Sequence, residues 1–385
     1  MNSNHYDLIV IGAGVLGTFH AYHAAAANKK VLLIEKDLHP MQATVRNFGQ
    51  VVPSGMSNDW FQFGVYSTQL YKTIQADYNI GIRQNGSVYL ASDKDEQQLL
   101  HELKQRMDAR GYEAQLLTTT QCLTRWPVLH KEYCREGLFF PQEVSAEPNV
   151  LIHHLLKYCT LRFPNLSYHT YTTIHACEVI NNQVKVVSSA GLSFTASKLI
   201  ICNGSEFKIL FADLFAKSGI VVSKLQMLRT QPMPALPLEG NILTGLTTRR
   251  YESFEECPSF SKIKTPHHLQ ELKQWGIHIL FKKAIDGSVI VGDSHEYMEV
   301  GKEEPSYELN QHINNLMWQE AARIVDMKEW KLSAAWAGYY SQHPQKDIVE
   351  IDIENRIHIR TAIGGKGMTS SAGYAQKSIN QLLPD

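Results

Sequence analysis

No long apolar run, no excess of one charge and no paired cysteines occur in these 385 residues. The longest apolar stretch falls far short of the roughly 18 residues that span a bilayer as a helix, so no transmembrane segment is expected. Lysine and arginine number 37 against 38 acids, a formal net charge of -1. That balance offers no basic field to hold a nucleic-acid backbone or an anionic membrane, and neither is expected as a partner. The six cysteines (Cys122, Cys134, Cys159, Cys177, Cys202 and Cys257) include no Cys-x-x-Cys pair. Their spacing is wrong for zinc and too sparse for a disulfide framework. The N-terminus lacks the basic segment and long apolar segment of a secretory signal, so a cytoplasmic protein is expected. Repeats and low-complexity tracts are missing too. What remains is ordinary globular composition, 44% hydrophobic and 19% charged, at a length that suggests roughly two or three domains.

The most informative stretch comes first. Residues 6–11 (Tyr-Asp-Leu-Ile-Val-Ile) form a short apolar run rich in β-branched residues, the profile of a strand buried on both faces. Gly12-Ala13-Gly14-Val15-Leu16-Gly17 follows at once, then an alanine-rich segment with good helix propensity through Ala27. Residues 31–34 are a second apolar strand ending at Glu35. Strand, glycine turn, helix, strand and acid make a βαβ unit. Its three glycines divide the mechanical work: Gly12 permits a tight turn, Gly14 lets backbone approach a pyrophosphate, and Gly17 lets helix and strand pack closely. The phosphates of a dinucleotide then sit at a helix N-terminus, where free N–H groups and the dipole favour anions. Glu35 lies 18 residues beyond Gly17, a spacing suited to accepting hydrogen bonds from ribose hydroxyls.

Further along, residues 93–110 read as an amphipathic helix capped by Asp93 with Glu96 at capping-box spacing. Residues 82–90 read as a hairpin turning at Asn85-Gly86. A helix begins at Pro148 and runs to about Arg162. Alternating strands are expected at 172–179 and 184–188, with a buried strand at 199–202. Residues 277–282 and 288–292 flank Asp286-Gly287 as another hairpin, and a helix is expected over 307–324. A strand at 357–361 leads through Gly364-Gly365-Lys366-Gly367 into a final helix. Two of these features suit a flavin rather than a nicotinamide. One is the loop Arg46-Asn47-Phe48-Gly49-Gln50. The other is the turn Gly364 to Thr369, whose N–H groups can face a flavin O2 or ribityl chain. Together they favour FAD, with an NAD-dependent dehydrogenase as the alternative.

On these residues the chain resembles the FAD-dependent D-amino-acid, glycine and sarcosine oxidase family. The resemblance extends over nearly the whole chain, through Tyr6 to Gly17 with Glu35-Lys36, Asn47 to Gln50, Lys198 to Gly204, Trp336-Ala337-Gly338 and Gly364 to Thr369. It implies an α/β fold, a Rossmann-like FAD-binding domain of the glutathione-reductase-like βαβ type interleaved with a smaller α+β substrate domain. Residues 1–80, 145–220 and 330–385 are expected in the first, 81–144 and 221–329 in the second. It implies FAD contacts from Gly12, Gly14, Val15, Leu16, Gly17, Glu35, Lys36, Asn47, Phe48 and Gly49. Others are expected from Ile174, Asn203, Gly204, Gly338, Gly365, Lys366, Gly367, Met368 and Thr369. Covalent members attach FAD through a cysteine shortly before the last glycine turn. No cysteine follows Cys257 here, so noncovalent FAD is expected.

The resemblance also implies oxidation of a small primary or secondary amine by hydride transfer to flavin N5, followed by imine hydrolysis. Oxygen or a carrier would reoxidise the flavin. Such a site requires no obligatory protein base, and no catalytic acid or base is named. A flavin-binding module without turnover is the alternative from a different class. Glycine oxidase-like members carry Gly-Leu-Arg-Pro where this chain has Gly338-Tyr339-Tyr340-Ser341. The arginine that clamps a carboxylate is therefore replaced by Tyr340, which supplies no charge. Arg46 is the expected substitute, Gln50 and Tyr340 the other expected substrate contacts, and Lys366 the second cation. Subgroups with an Arg-Asn-Phe-Gly-Gln loop are associated with organophosphonate breakdown, which suggests an aminophosphonate substrate. His153-His154 and His267-His268 lack ligand spacing, and no metal is expected.

Overall fold

The computed structural model describes residues 5–384. Strand His5–Ile11 lies between Val31–Ile34 and Ser193–Ile201, parallel to both. Leu166–His169 extends the parallel set on one side and Ile357–Thr361 on the other. Both faces of the central strand are covered, so the apolar run needs no polar alternation; Leu8, Ile9 and Val10 are all fully buried. Val349–Ile353 adds antiparallel to Ile357–Thr361. The ribbon of Ile174–Ile180 and Gln183–Ser188 pairs with the first half of Ser193–Ile201, completing eight strands.

Helix Val15–Ala26 packs against this sheet and against the last helix, Gly367–Leu382. Its alanines allow that close approach while keeping helix propensity. Gly367–Leu382 in turn presses on helix Asn58–Asp77, so tightly that a Cβ at Gly373 would lie 2.5 Å from the Phe63 backbone.

A second, nine-stranded sheet is organised around Val221–Thr230. That strand pairs with Glu296–Glu299 and Val289–Gly292 along one edge and with Leu332–Gln342 along the other. Helix Gln311–Ile324 covers part of it through Ile313, Met317, Ala321 and Ile324, all fully buried at one-face spacing. A small three-stranded sheet of Gln50–Val51, Val144–Ala146 and Ile82–Arg83 completes the strands.

The α/β class and the βαβ unit agree with the sequence reading, and three local expectations change. Residues 82–90 are not a hairpin: Ile82–Arg83 pairs with Val144–Ala146, whereas Ser87–Ala91 pairs with Glu136–Phe140 and Asn241–Leu243. Asn85-Gly86 marks a change of sheet, with the Gly86 N–H on Glu143 and its carbonyl accepting from Asn241. The helix expected from residue 307 starts at Gln311, because the Asn310 side chain accepts from His312 N at 3.0 Å and caps it there. Leu332–Gln342, placed with the cofactor-binding segments by sequence, hydrogen-bonds along its length to Val221–Thr230 and belongs to the large sheet. The capped helix Lys94–Ala109, the helix Pro148–Arg162 and the hairpin around Asp286-Gly287 form as expected.

Candidate functional site

The tight turn after the first strand is enforced by backbone contact. Gly12 has φ +96°, and a Cβ there would lie 2.2 Å from the Cys202 carbonyl oxygen. A Cβ at Gly17 would lie 1.9 Å from the Gly12 carbonyl oxygen, so helix and turn meet backbone to backbone. Helix Val15–Ala26 has Gly14 at its N-cap, no side-chain cap from that residue, and no acid in its first turn. The Val15 N–H donates to the Thr44 hydroxyl at 3.0 Å, and no acid competes with an anion at this N-terminus.

Two adjoining cavities open from this turn. The smaller, about 290 Å³, is lined by Gly12, Glu35, Lys36, Ile174 and Asn203 among others. Glu35 is buried, with one carboxylate oxygen accepting from Ala13 N at 2.9 Å and the other from Asp37 N at 3.1 Å. The larger, about 500 Å³, has Gly14, Val15, Leu16 and Gly17 on one wall and the turn Gly364 to Thr369 on another. Gly14, Thr44, Cys202 and Gly204 line both.

The large sheet supplies the remaining walls. His278 and Asp293 exchange backbone hydrogen bonds beyond the Asp286-Gly287 hairpin, and His295 lies two residues further on. These three side chains, with Arg250, Tyr251 and Tyr340, face the larger cavity. Asp293 Oδ1 is 2.9 Å from His278 Nε2 and 3.9 Å from His295 Nδ1. Burial raises the Asp293 carboxyl, but the neighbouring His278, through its charge and hydrogen bond, and the Arg250 guanidinium hold it below the usual range. His295 is lowered to about 3, first by burial and then by the Arg250 guanidinium. It is neutral at ordinary pH. Its Nδ1 lies 3.1 Å from the Gly276 carbonyl, which only accepts, so Nδ1 carries the proton and Nε2 is left as an acceptor. Tyr340 is raised well above its usual value, chiefly by burial and further by Asp293, and remains a neutral phenol.

Most residues singled out from sequence line one cavity or both. Gly12, Gly14, Val15, Leu16, Gly17, Glu35, Lys36, Asn47, Phe48, Gln50 and Ile174 do so, as do Asn203, Gly204, Tyr340, Gly365, Lys366, Gly367, Met368 and Thr369. Three do not. Gly49 packs where a Cβ would meet the Ala146 carbonyl at 2.4 Å, and Gly338 packs against the Arg46 carbonyl. Arg46 itself turns away from the cavity, its Nε donating to the Met41 carbonyl at 2.8 Å. Lys366 lines the cavity but is paired with Glu252 and with Asp347 at 3.2 Å. Sequence reading passed over Arg250, His278, Asp293 and His295. The one available signal was the Asp293-x-His295 alternation opposite His278 in a hairpin already expected. Among the described residues these last three also form the group whose potential ligand atoms converge, within 4.8 Å.

The chain belongs to the FAD dependent oxidoreductase family, whose profile matches residues 7–379. It is similar to a glycine oxidase of Bacillus licheniformis, 22% identical over 365 residues covering 89% of this chain and 85% of the relative. It is also similar to a monomeric sarcosine oxidase of Arthrobacter sp. (strain TE1826), 26% identical over 220 residues and 54% of each chain. That match spans about half the sarcosine oxidase's length. The glycine oxidase structure from Geobacillus kaustophilus superposes with a TM-score of 0.77 at 15% identity, over 98% of this chain and 94% of that one, and shows the shared fold.

The residues present suit FAD. A Cβ at Gly204 or Gly365 would meet no protein atom within 4 Å, so backbone there opens onto free space. Gln50 Nε2 and Asn203 Oδ1 are buried without a protein partner. Glu35, Lys36 and Ile174 would hold the adenosine end, and Asn47, Phe48 and Gln50 with Gly365 to Thr369 the ring end. Replacing Glu35 with alanine is expected to weaken FAD binding by about 1.5–3 kcal/mol, the range for hydrogen bonds to a charged group. Titration of FAD into apoprotein measures this, and unchanged affinity in folded protein would mean that the ribose is held elsewhere.

Proposed function

We propose that the protein oxidises a small primary or secondary amine of the amino-acid or aminophosphonate type to an imine. The observation that carries this reading is one cavity bounded both by the dinucleotide-binding turns and by a cluster of polar side chains from the other sheet. When bound, FAD would supply the two-electron oxidation of the amine, and the imine product would hydrolyse in water. The protein contributes orientation and electrostatics. Phe48, Met56, Leu225 and Leu280 line the cavity with apolar surface that limits water. The neutral His295 offers an acceptor nitrogen for an amine N–H, and the Tyr251 and Tyr340 phenols offer donors without charge. The ionised Asp293, held by His278, sets a negative pole on the same wall.

Anaerobic addition of amines, amino acids and aminophosphonates to the FAD-loaded protein tests the reading. Bleaching of the visible flavin band by at least one class is expected, with the flavin released into the supernatant on acid precipitation. A band untouched by every amine would favour a flavin-binding module without turnover. Hydrogen peroxide on readmission of air would identify oxygen as the acceptor; its absence would point to a carrier.

A further inference from the structure

Three cations other than histidine line the larger cavity: Arg250, Arg360 and Lys366. Two are neutralised within the protein. Arg360 pairs with Asp352 at 2.8 Å, and Lys366 pairs with Glu252 and Asp347. Among the described residues, Arg250 alone of the three has no carboxylate within 4.0 Å.

Its neighbour in sequence makes the contrast plain. Arg249 is buried and saturated, bonded to Asp93 at 2.6 Å, Glu96 at 2.8 Å and the Lys264 carbonyl at 2.9 Å, and so ties its segment to the helix Lys94–Ala109. Arg250 lies between the short helices Gly245–Thr248 and Glu252–Glu255, its backbone N–H held by the Thr247 carbonyl at 3.1 Å. One terminal nitrogen donates to the Tyr297 hydroxyl at 2.8 Å, a neutral acceptor that orients the guanidinium without cancelling its charge. Of the cavity's own acids, Glu252 is on Lys366 and Asp293 is beside His278; Glu255 and Asp293 feel the Arg250 charge, but neither forms an ion pair with it within 4.0 Å.

A partly buried guanidinium with no carboxylate in ion-pair contact carries a desolvation cost that a ligand anion offsets. Its remaining donors form a planar fork that suits carboxylate or phosphonate oxygens two at a time. We propose that Arg250 is the anion-binding residue of this site, holding the carboxylate or phosphonate of the substrate and doing the work that Tyr340 cannot. The inference rests on the amine-oxidoreductase reading. It moves the anion pole from Arg46, which bonds to Met41, to the wall that also carries Asp293 and His295. A zwitterionic amine would then lie between an anion pole at Arg250 and an amine pole at Asp293 and His295.

The test uses the FAD-loaded protein and two anions that cannot be oxidised as amines, methylphosphonate and acetate, each titrated against the visible flavin spectrum. A saturable perturbation is expected in the wild type. Arg250→Met is expected to raise the dissociation constant 10-fold or more, about 1.4 kcal/mol. Arg250→Lys, which keeps the charge but loses the fork, is expected to fall between, and it carries the test alone if Arg250→Met does not retain FAD. Tighter binding of methylphosphonate assigns a phosphonate substrate, tighter binding of acetate a carboxylate; either supports the clamp. Wild-type anion affinity in the Arg250 variants, or a loss seen in Arg46→Leu instead, overturns it. No perturbation of the wild type by either anion also overturns it, even if amines bleach the flavin. Conversely, anion binding that depends on Arg250 with no bleaching by any amine keeps the clamp and removes the amine-oxidation reading.

Discussion

Gly17→Val is expected to produce a protein that no longer retains FAD through gel filtration, with affinity reduced at least about 100-fold, or about 2.8 kcal/mol. At Gly17 a Cβ meets the Gly12 carbonyl oxygen at 1.9 Å and the Cys202 Cβ at 3.3 Å. The first of these contacts is backbone, and no side-chain rotation relieves it. To admit valine, helix Val15–Ala26 must lift from the turn or the turn must open. Either movement displaces the helix N-terminus and the Gly14 backbone, where a dinucleotide pyrophosphate would lie. The helix is buried almost all round, so a shift also disturbs its packing on Gly367–Leu382, and a lower thermal midpoint is expected alongside the cofactor loss. Measured together, FAD content and thermal unfolding check both parts. A variant with normal FAD affinity would show that the close approach is not required for binding.

Glu143→Gln is expected to remove a pH dependence of stability that the wild type shows between about pH 4.5 and pH 7. Glu143 is fully buried below Ser54, Tyr89 and Tyr112. One carboxylate oxygen accepts from Ser54 N at 2.8 Å and from the Tyr112 hydroxyl at 3.3 Å, while the other has no partner. Burial raises the group from its ordinary 4.5 to about 7, against the lowering effect of the Ser54 hydrogen bond. A carboxyl raised in the folded state binds protons more readily folded than unfolded. Its contribution is therefore complete below the unfolded value and is lost as pH rises through the folded one. The loss is on the order of 3 kcal/mol across that window. Glutamine keeps an acceptor for Ser54 and cannot ionise, so the variant gains stability relative to the wild type as pH rises. Urea denaturation at pH 5, 6, 7 and 8 measures the difference, which also cancels the histidines common to both proteins. A constant difference across the series would mean that Glu143 ionises normally.

The cofactor half of this protein was legible before any coordinates because its determinants are local. Strand, turn, helix, strand and acid follow one another within residues 6–35, and short-range sterics at Gly12 and Gly17 decide the turn wherever the rest of the chain goes. Hydrogen-bond capping made Asp93 readable for the same reason, since it bonds its own helix three residues on. The hairpin misassigned at Asn85-Gly86 shows the limit: a turn sequence specifies a change of direction but not which strands receive the chain. There, Ile82–Arg83 and Ser87–Ala91 join different sheets because Val144–Ala146 and Glu136–Phe140, more than forty residues away, offer the pairing edges.

The substrate pole was decided by tertiary structure alone. By its position in the loop after Glu35, Arg46 suits the role, but its side chain bonds the Met41 carbonyl instead. Arg249 and Arg250 are indistinguishable in sequence; only the placement of Asp93 and Glu96 makes the first an internal tie and leaves the second facing the cavity. His278, Asp293 and His295 meet because the pairing slips by one residue beyond Leu280 and Gly292, setting His278 opposite Asp293 on the cavity wall. Sequence alone therefore determined the turns that line the dinucleotide cavities, which are built from backbone and neighbouring residues. Only the fold decided which charges face the cavity, because burial and ion pairing select among many equivalent cations by removing the others.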